Sequence, residues 1–312
     1  MNLLEILRSR VADLPDGDYM QGLKAVLQHI EVAGRHLERG HETTDDTAFT
    51  DAIYRTNQAF EGSMKEAFRV LAERDPDGEK PYNIENYLQE QNLLRPRVLA
   101  QLTNYRREWR NPSTHDYRLD FDEDEALLAI VTVSAFAIVL IDQITERISF
   151  VLAKTVAAEH PTPTQPSQPL LQKVSTLIEQ FTFQFNQTHA DRTDVREVEI
   201  VGALAGFFAS TVPELIVQSE GKLVPEKNAR ADLLVSSGDE RLIIEVKRGR
   251  SSRKMDESSV YQVASYMQIS GISQAVLFNY SSPNTGKVVR TEVSLPVVGG
   301  RLLIISTEDR AA

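Results

Sequence analysis

Two acidic residues and a lysine stand in a pattern that could hold a metal ion beside a phosphate. Asp232 lies in one apolar run, and Glu245 and Lys247 lie in a second. Residues 236–239 between the runs read Ser-Ser-Gly-Asp, a turn signal that predicts a β-hairpin. Because side chains alternate along a strand, Glu245 and Lys247 should share one face of it.

The register of this hairpin decides whether the two carboxylates meet. A symmetric turn of two residues (238–239) or four (237–240) would place Asp232 opposite Glu245, with Cβ atoms about 4.5–5.5 Å apart. A three-residue turn would shift the pairing. Facing carboxylates repel each other, and a divalent cation such as Mg²⁺ removes the conflict. The alternative is a solvated strand face on which Glu245 and Lys247 form an ordinary ion pair.

Asp232 followed by Glu245-Val246-Lys247 after a short hairpin resembles the PD-(D/E)xK nuclease superfamily, the fold of many restriction endonucleases. The order α-β-β-β-α-β expected over residues 194–280 is similar to its core, although Ala231 replaces the motif's proline. The resemblance implies that Asp232, Glu245 and the Val246 carbonyl hold Mg²⁺ or Mn²⁺. It also implies that Lys247 positions or deprotonates the water that attacks a phosphodiester.

Three further residues are auxiliary candidates for the same site. Gln262 and Tyr266 lie four residues apart on a predicted helix and so face the same way. Some branches of the superfamily carry Gln-x-x-x-Tyr at this place, and an amphipathic helix that packs its tyrosine is the alternative. Glu197 lies on the apolar stripe of an earlier helix, where an acid needs a reason. Some members have a glutamate on that helix, and Glu220 is the rival candidate.

A cationic run begins at the same strand. It comprises Lys247, Arg248, Arg250, Arg253 and Lys254, five cations in eight residues. Such a run is commonly a solvated loop. The formal charge of −11 means that bulk electrostatics do not recruit nucleic acid, so binding needs a local basic patch or a metal. We therefore expect Arg248, Arg250, Arg253 and Lys254 to contact phosphates without base specificity.

A second candidate site is the pair Arg110 and His115. Pro112 between them should break the incoming helix, just before a long apolar helix. A lone loop histidine is commonly a surface residue, but this spacing resembles the R-x(4–6)-H signature of HEPN domains, over about residues 80–155. The resemblance implies a dimerising domain. Active members cut RNA without metal, and Arg110 would then stabilise phosphate charge while His115 transfers protons. Other members are inactive dimerisation or antitoxin modules.

The two candidate sites lie in two halves of the chain that differ in hydrophobic periodicity. Residues 160–169 contain four prolines, which bias the chain to polyproline II and predict a linker at 159–169. Helical periodicity before it predicts an all-α, HEPN-like bundle of four or five helices over residues 1–158. Residues 170–312 predict an α/β mixed-sheet, restriction-endonuclease-like domain with the αβββαβ order.

Composition excludes several classes of protein. The 312 residues are 41% hydrophobic and 25% charged, which excludes a disordered or fibrous chain. The absence of cysteine excludes disulfides, a thiolate nucleophile and a Cys-based zinc site. The first residues do not resemble a signal peptide. The longest apolar run, 126–141, is short for a bilayer and predicts a buried core helix. We therefore expect a soluble, cytoplasmic protein without a membrane partner.

Together these patterns predict a nuclease. The two resemblances imply a role in prokaryotic defence against phages and plasmids, because both kinds of domain recur there. The C-terminal half would hydrolyse nucleic acid with Mg²⁺ or Mn²⁺, DNA being favoured, and the N-terminal half would form a homodimer. One alternative is a metal-independent HEPN ribonuclease whose C-terminal half only binds nucleic acid. The other is a non-catalytic interaction or antitoxin subunit.

Overall fold

The computed structural model describes residues 2–116, 118–160, 168–192, 194–224, 229–249, 257–283, 285–295 and 299–309. The chain forms two compact units, Met1–Arg147 and Ile148–Ala312. This division falls before the expected linker at 159–169. Most of that linker lies outside the described residues, so the predicted domain limits stay a prediction.

The first unit is helical. Its elements are α1 (Leu3–Ala12), α2 (Met20–Thr43), α3 (Thr47–Leu71), α4 (Pro81–Glu90), α5 (Pro96–Tyr105), a π-helical turn (Arg106–Arg110), α6 (Asn111–His115) and most of α7 (Glu123–Glu159). The described residues thus form more helices than the four or five predicted. The extra ones are ten residues or shorter, too short for helical periodicity to stand out. α2 and α3 pack antiparallel, with Gly40 against Phe49 near their junction and Gly22 against Glu66 at the other end.

The predicted break at Pro112 is wrong. The helix widens into the π-helical turn, in which the Asn111 N–H bonds the Arg106 carbonyl, and then continues as α6 to His115. A proline ring in an α-helix clashes with the carbonyl four residues earlier, and it has no N–H to donate. A π turn shifts that register by one residue, so the helix accommodates Pro112 without ending.

α7 has two different faces. One is buried, as predicted for the apolar run, and includes Ala126, Ala129, Val133, Phe136, Ala137, Leu140, Ile141 and Ile144. The other exposes Leu127, Leu128, Val131 and Val139. Within the part of the chain that the structure describes, α7 alone is long and apolar enough to cross a membrane. Half of its most apolar window is buried in the protein, and a single helix of this kind is weak evidence for a membrane span.

The second unit is a mixed sheet with helices on both faces. After the end of α7 it contains α8 (Leu170–Thr188), α9 (Glu197–Thr211), β1 (Ile216–Lys222), β2 (Arg230–Ser237), β3 (Glu240–Arg248), α10 (Glu257–Ser270), β4 (Gln274–Tyr280), β5 (Thr285–Leu295) and β6 (Gly300–Asp309). The strand order is β1-β2-β3-β4-β6-β5. β4 pairs in parallel with β3 and β6, and the other neighbours are antiparallel. The predicted αβββαβ order is present from α9 to β4.

β5 was not predicted. It is an edge strand that pairs only with β6 among the described strands, and it mixes valines with charged residues. Edge strands need only one apolar face and often carry charges, so their alternation is weak in a sequence. Its position at the edge of the sheet therefore leaves little hydrophobic alternation in its sequence.

Alternation divides β3 between two cores. Leu242, Ile244 and Val246 pack in the core that contains α8 and α9. Ile243 packs in the opposite core, under Val263 and Met267 of α10. Glu245 and Lys247 therefore belong to the α10 face of the sheet, as the period of two predicts.

Gly206 of α9 provides a test of the packing in the second unit. A Cβ added there would lie 2.1 Å from the carbonyl oxygen of Phe150, a backbone atom that cannot rotate away. We expect Gly206→Ala to lower the free energy of unfolding by about 1–3 kcal/mol in urea titrations. Gly34→Ala is the matched control, since an added Cβ there meets nothing within 4 Å. It should stabilise α2 by up to about 1 kcal/mol. Equal effects of the two changes would contradict this packing.

Candidate active site

The β2–β3 hairpin has the register that brings the carboxylates together. Leu233 pairs with Ile244, and the ladder continues to a two-residue turn. Gly238 in that turn has φ +56°, a left-handed conformation that glycine adopts without steric cost. The conditional prediction of a symmetric turn is confirmed. Asp232 and Glu245 are the next residues beyond the last ladder pair.

Beyond the last ladder pair, a side chain of β2 bonds the backbone of β3. The Val246 N–H donates to Oδ2 of Asp232 at 2.7 Å, so a side chain bonds this backbone donor. On the other side of β2, Glu220 has φ +50°, an uncommon conformation for a residue other than glycine. It lies between the pairs Ser219–Leu233 and Gly221–Ala231, so the irregularity faces Asp232.

Glu245 is the most enclosed group of the site, with 3% of its surface exposed. Its Oε1 accepts hydrogen bonds from Lys247 Nζ and from Gln262 Nε2, both at 2.8 Å. Gln262 Nε2 also lies 2.9 Å from the Tyr266 hydroxyl, so both α10 candidates face the site. Lys247 and Glu245 do form an ion pair, but the burial of Glu245 excludes the solvated strand face that was the alternative.

The second oxygen of Glu245 is different. Oε2 is buried and accepts no hydrogen bond of normal geometry from a described residue. The backbone N–H of Asp232 acts on the same carboxylate and opposes the rise of its pKa. A buried carboxylate oxygen without a partner is costly and rare in folded proteins. The site therefore has an unused, negatively charged acceptor next to Asp232.

The charges of the site act strongly on one another. Burial and the neighbouring charge of Glu245 raise the pKa of Asp232 from 3.8 to about 7. Burial also raises the pKa of Glu245, against the opposing hydrogen bond from Lys247. Burial alone would lower the pKa of Lys247, but the hydrogen bond and charge of Glu245 outweigh it and raise that pKa. Among the described residues, these two carboxylates thus face one cation, Lys247.

Glu197, at the start of α9, contributes to this field. Its charge raises the pKa of Asp232 and of Glu245, so it lies close enough to act on both. Glu199 has another role, because it accepts hydrogen bonds from the Arg192 guanidinium and the Arg196 N–H and caps the helix. Of the two rival glutamates, Glu197 acts on both carboxylates, and Glu220 lies opposite Asp232 on the neighbouring strand.

The oxygen donors fit a divalent cation that needs few protein ligands. No group of three or more His, Cys, Asp or Glu forms a metal cluster within the described ranges. Mg²⁺ is commonly bound through one or two carboxylates, with water and substrate phosphate completing its coordination. Asp232, the unpartnered oxygen of Glu245 and the Val246 carbonyl match that donor set.

Comparison with known proteins agrees with this geometry. Residues 204–291 match the family model of the PD-(D/E)XK nuclease superfamily. The match indicates nuclease activity, and it contains Asp232, Glu245 and Lys247. No curated protein and no solved structure matches the chain. The PD-(D/E)XK match does not reach the helical unit, where the HEPN resemblance stays a prediction.

The cationic run after this motif is only partly described. Arg248 is exposed and forms an ion pair with Asp194, a partner that the sequence pattern did not indicate. Arg250, Arg253 and Lys254 lie outside the described residues. Their expected contacts with phosphate stay a prediction.

Arg110 and His115 are on the same helical stretch but have different surroundings. Arg110 donates from Nε to Oε1 of Glu61 on α3 at 3.0 Å. His115 is exposed at the end of α6. No hydrogen bond or ion pair joins the two side chains in the part of the chain that the structure describes. Glu61 was missed because no sequence pattern links α3 to this turn.

The raised pKa of Asp232 predicts how stability depends on pH without metal. The folded protein holds this proton more tightly than an unfolded chain, so stability falls as pH rises from about 4 to about 7. Asp232→Asn removes the charge and keeps an acceptor for the Val246 N–H. We expect it to stabilise the protein by about 2 kcal/mol at pH 8 in EDTA, and much less at pH 4.

Urea unfolding at pH 4, 6 and 8 measures this difference. Asp239→Asn, an exposed aspartate in the turn of the same hairpin, is the control for the substitution itself. A destabilised Asp232→Asn variant at pH 8 would contradict the repulsion between the carboxylates.

Proposed function

We propose that the chain is a nuclease whose second unit hydrolyses phosphodiester bonds with Mg²⁺ or Mn²⁺. The observation that carries this proposal is the buried, unpartnered Oε2 of Glu245 beside Asp232. That oxygen is open to a cation because no described side chain bonds it. A cation that binds both carboxylates would use it and offset their repulsion.

Each residue of the site has a separate task in this proposal. Asp232, Glu245 and the Val246 carbonyl would hold the ion, which supplies positive charge against the phosphate when bound. Gln262 occupies only Oε1 of Glu245 and so fixes the carboxylate while its other oxygen stays available. The Tyr266 hydroxyl, on the next turn of α10, accepts a hydrogen bond from the Gln262 amide and so helps to orient it.

In this proposal Lys247 contacts the reacting phosphate or water. Its ammonium donates to Oε1 of Glu245 at 2.8 Å, and its side chain is half-buried on the α10 face. A held ammonium beside the carboxylates can orient a water and donate to a phosphate oxygen. Glu197 adds a third carboxylate whose charge acts on the site.

We favour DNA as the substrate and sequence-independent contact with its backbone. Arg248 at the end of β3 is exposed, and we propose that it exchanges its ion pair with Asp194 for contact with phosphates. A role in prokaryotic defence against phages and plasmids is proposed by analogy with the superfamily resemblance. A cytoplasmic location is part of the same proposal.

A cleavage assay tests the proposal. Plasmid DNA, linear duplex, single-stranded DNA and RNA would be incubated with the full chain in Mg²⁺, Mn²⁺ or EDTA. We expect metal-dependent DNA cleavage that falls at least about a hundredfold in Glu245→Gln, because the substitution removes a charged ligand. Glu257→Gln, at an exposed position on α10, is the matched control and should cleave normally.

The other outcomes of the assay separate the alternatives. Full cleavage by Glu245→Gln would refute the proposed site. RNA cleavage in EDTA that is lost in His115→Ala would move the chemistry to the helical unit. No cleavage in any lane would favour a non-catalytic interaction or antitoxin subunit.

For the helical unit we propose homodimerisation through the exposed face of α7. Leu128 is 55% exposed and Val131 44%, and they lie on one face with Leu127 and Val139. Clustered apolar groups on a surface favour association. The HEPN resemblance supports a second copy of this chain as the partner.

Light scattering with size-exclusion chromatography tests the dimer. Leu128→Glu and Val131→Glu should each convert a dimer to a monomer, because a charge would be buried at the interface. Tyr82→Glu changes an equally exposed residue of α4 and should leave the mass unchanged. A monomeric wild-type protein would refute the interface.

A further inference from the structure

Three polar residues lie side by side on the face of the sheet that carries Glu245, one step beyond it. Lys247 on β3 pairs with Asn279 on β4, and Asn279 pairs with Ser306 on β6. Side chains at paired positions of neighbouring strands emerge on the same face. Lys247, Asn279 and Ser306 therefore form one polar row across three strands.

Burial changes abruptly at this row. The preceding residues on the same strands, Glu245, Leu277 and Ile304, are all buried, and Leu277 and Ile304 share a core with α10. All three members of the polar row are half-exposed. α10 thus covers the sheet as far as the carboxylates, and the polar row is the first open level beside them.

Asn279 is seated against the backbone that follows β3. A Cβ added to Gly249 would lie 2.5 Å from Oδ1 of Asn279, so the amide occupies the space that a larger residue would need. The Gly249 N–H donates to the Tyr280 carbonyl at 2.9 Å and keeps this segment beside β4. Glycine at 249 therefore permits the present position of the Asn279 amide.

As far as the described residues show, the donors of the row are available for a ligand. Over the described ranges, neither the Asn279 amide nor the Ser306 hydroxyl has a hydrogen-bond partner. Lys247 adds a positive charge at one end of the row. Amide and hydroxyl groups that donate beside an ammonium are suited to anionic oxygens, since hydrogen bonds to charged acceptors are the stronger ones.

We infer that the polar row of Lys247, Asn279 and Ser306 binds the phosphodiester backbone next to the bond that is cut. This inference rests on the proposed nuclease function and adds Asn279 and Ser306 as positioning residues. Neighbouring strands lie about 4.8 Å apart, so the row extends about 10 Å from Lys247. One strand of DNA rises about 3.4 Å per nucleotide, so the row is long enough to reach a neighbouring phosphate.

The contact would not depend on base sequence. Phosphate contacts position a nucleic acid, whereas base edges specify its sequence. Asn279 and Ser306 touch neither carboxylate in the described structure. Their loss should therefore weaken substrate binding and leave the chemical step unchanged.

Binding and kinetics of the full chain test the inference. Fluorescence anisotropy would measure the binding of two unrelated, labelled 20-nucleotide DNAs in EDTA, and cleavage in Mg²⁺ would give kcat and KM. We expect Asn279→Ala to raise Kd and KM about tenfold with kcat unchanged, and Ser306→Ala about threefold. Asn279→Asp should weaken binding further, because it adds charge repulsion. Ser294→Ala, at an exposed position on β5, is the control and should match wild type.

Gly249 permits a second test that leaves Asn279 in place. Gly249→Ala should raise KM as much as Asn279→Ala does, since its Cβ displaces the amide. In the Asn279→Ala background the same change should add little, because the space is then free. Such non-additivity shows that Gly249 acts through Asn279, and unfolding titrations of all variants exclude loss of fold as the cause.

The outcomes separate this inference from the proposed function. Unchanged Kd in both Asn279 variants, or no DNA binding by wild type, would overturn the inference even if metal-dependent cleavage is present. A fall in kcat at constant KM would also overturn it. If the Asn279 variants bind DNA more weakly but the wild-type protein cleaves no substrate, the result would support phosphate binding by the polar row and refute the proposed nuclease function.

Discussion

The repulsion between Asp232 and Glu245 is the constraint on which the rest of the site depends. The hairpin register makes them neighbours, and the bond from the Val246 N–H to Asp232 holds one of them in place. Hydrogen bonds from Lys247 and Gln262 hold the other. The strain is therefore built into a rigid part of the sheet, where a ligand site keeps its geometry.

Apolar packing on the opposite face makes this arrangement possible. Leu242, Ile244 and Val246 alternate with the charged residues of β3 and are fully buried against α8 and α9. Burying such side chains contributes about 1.5–3 kcal/mol each, enough to offset a pair of unfavourable charges on the other face. The apolar side chains of β3 thus stabilise the fold, and the charged side chains on its other face form the candidate site.

α10 determines how much of the charged face is open. Its apolar residues Val263 and Met267 cover the sheet, and Gln262 on the same helix reaches Glu245. That amide bonds one oxygen of the carboxylate and leaves the second without a partner. A helix that covered one further row would hide Lys247, and a shorter one would expose Glu245 to water and weaken its interaction with a cation.

Local patterns in the sequence were sufficient to predict the β2–β3 hairpin. Alternation predicted the faces of β3, and the Ser-Ser-Gly-Asp turn allowed the register that opposes Asp232 to Glu245. The spacing of Gln262 and Tyr266 likewise predicted that they face one way. The prediction that the helix breaks at Pro112 was wrong, because a π turn depends on the geometry of the whole helix. β5 was missed because an edge strand has little hydrophobic alternation.

The sequence by itself determined which residues share a face, because side-chain alternation follows from covalent backbone geometry. It also determined the hairpin, since its strands are joined by two residues. Only the tertiary structure decided what lies beside Lys247. β3 meets β4 through a helical crossover, and β6 reaches β4 from more than twenty residues away. Parallel pairing of such strands is set by packing of the whole sheet, and no local pattern states its register.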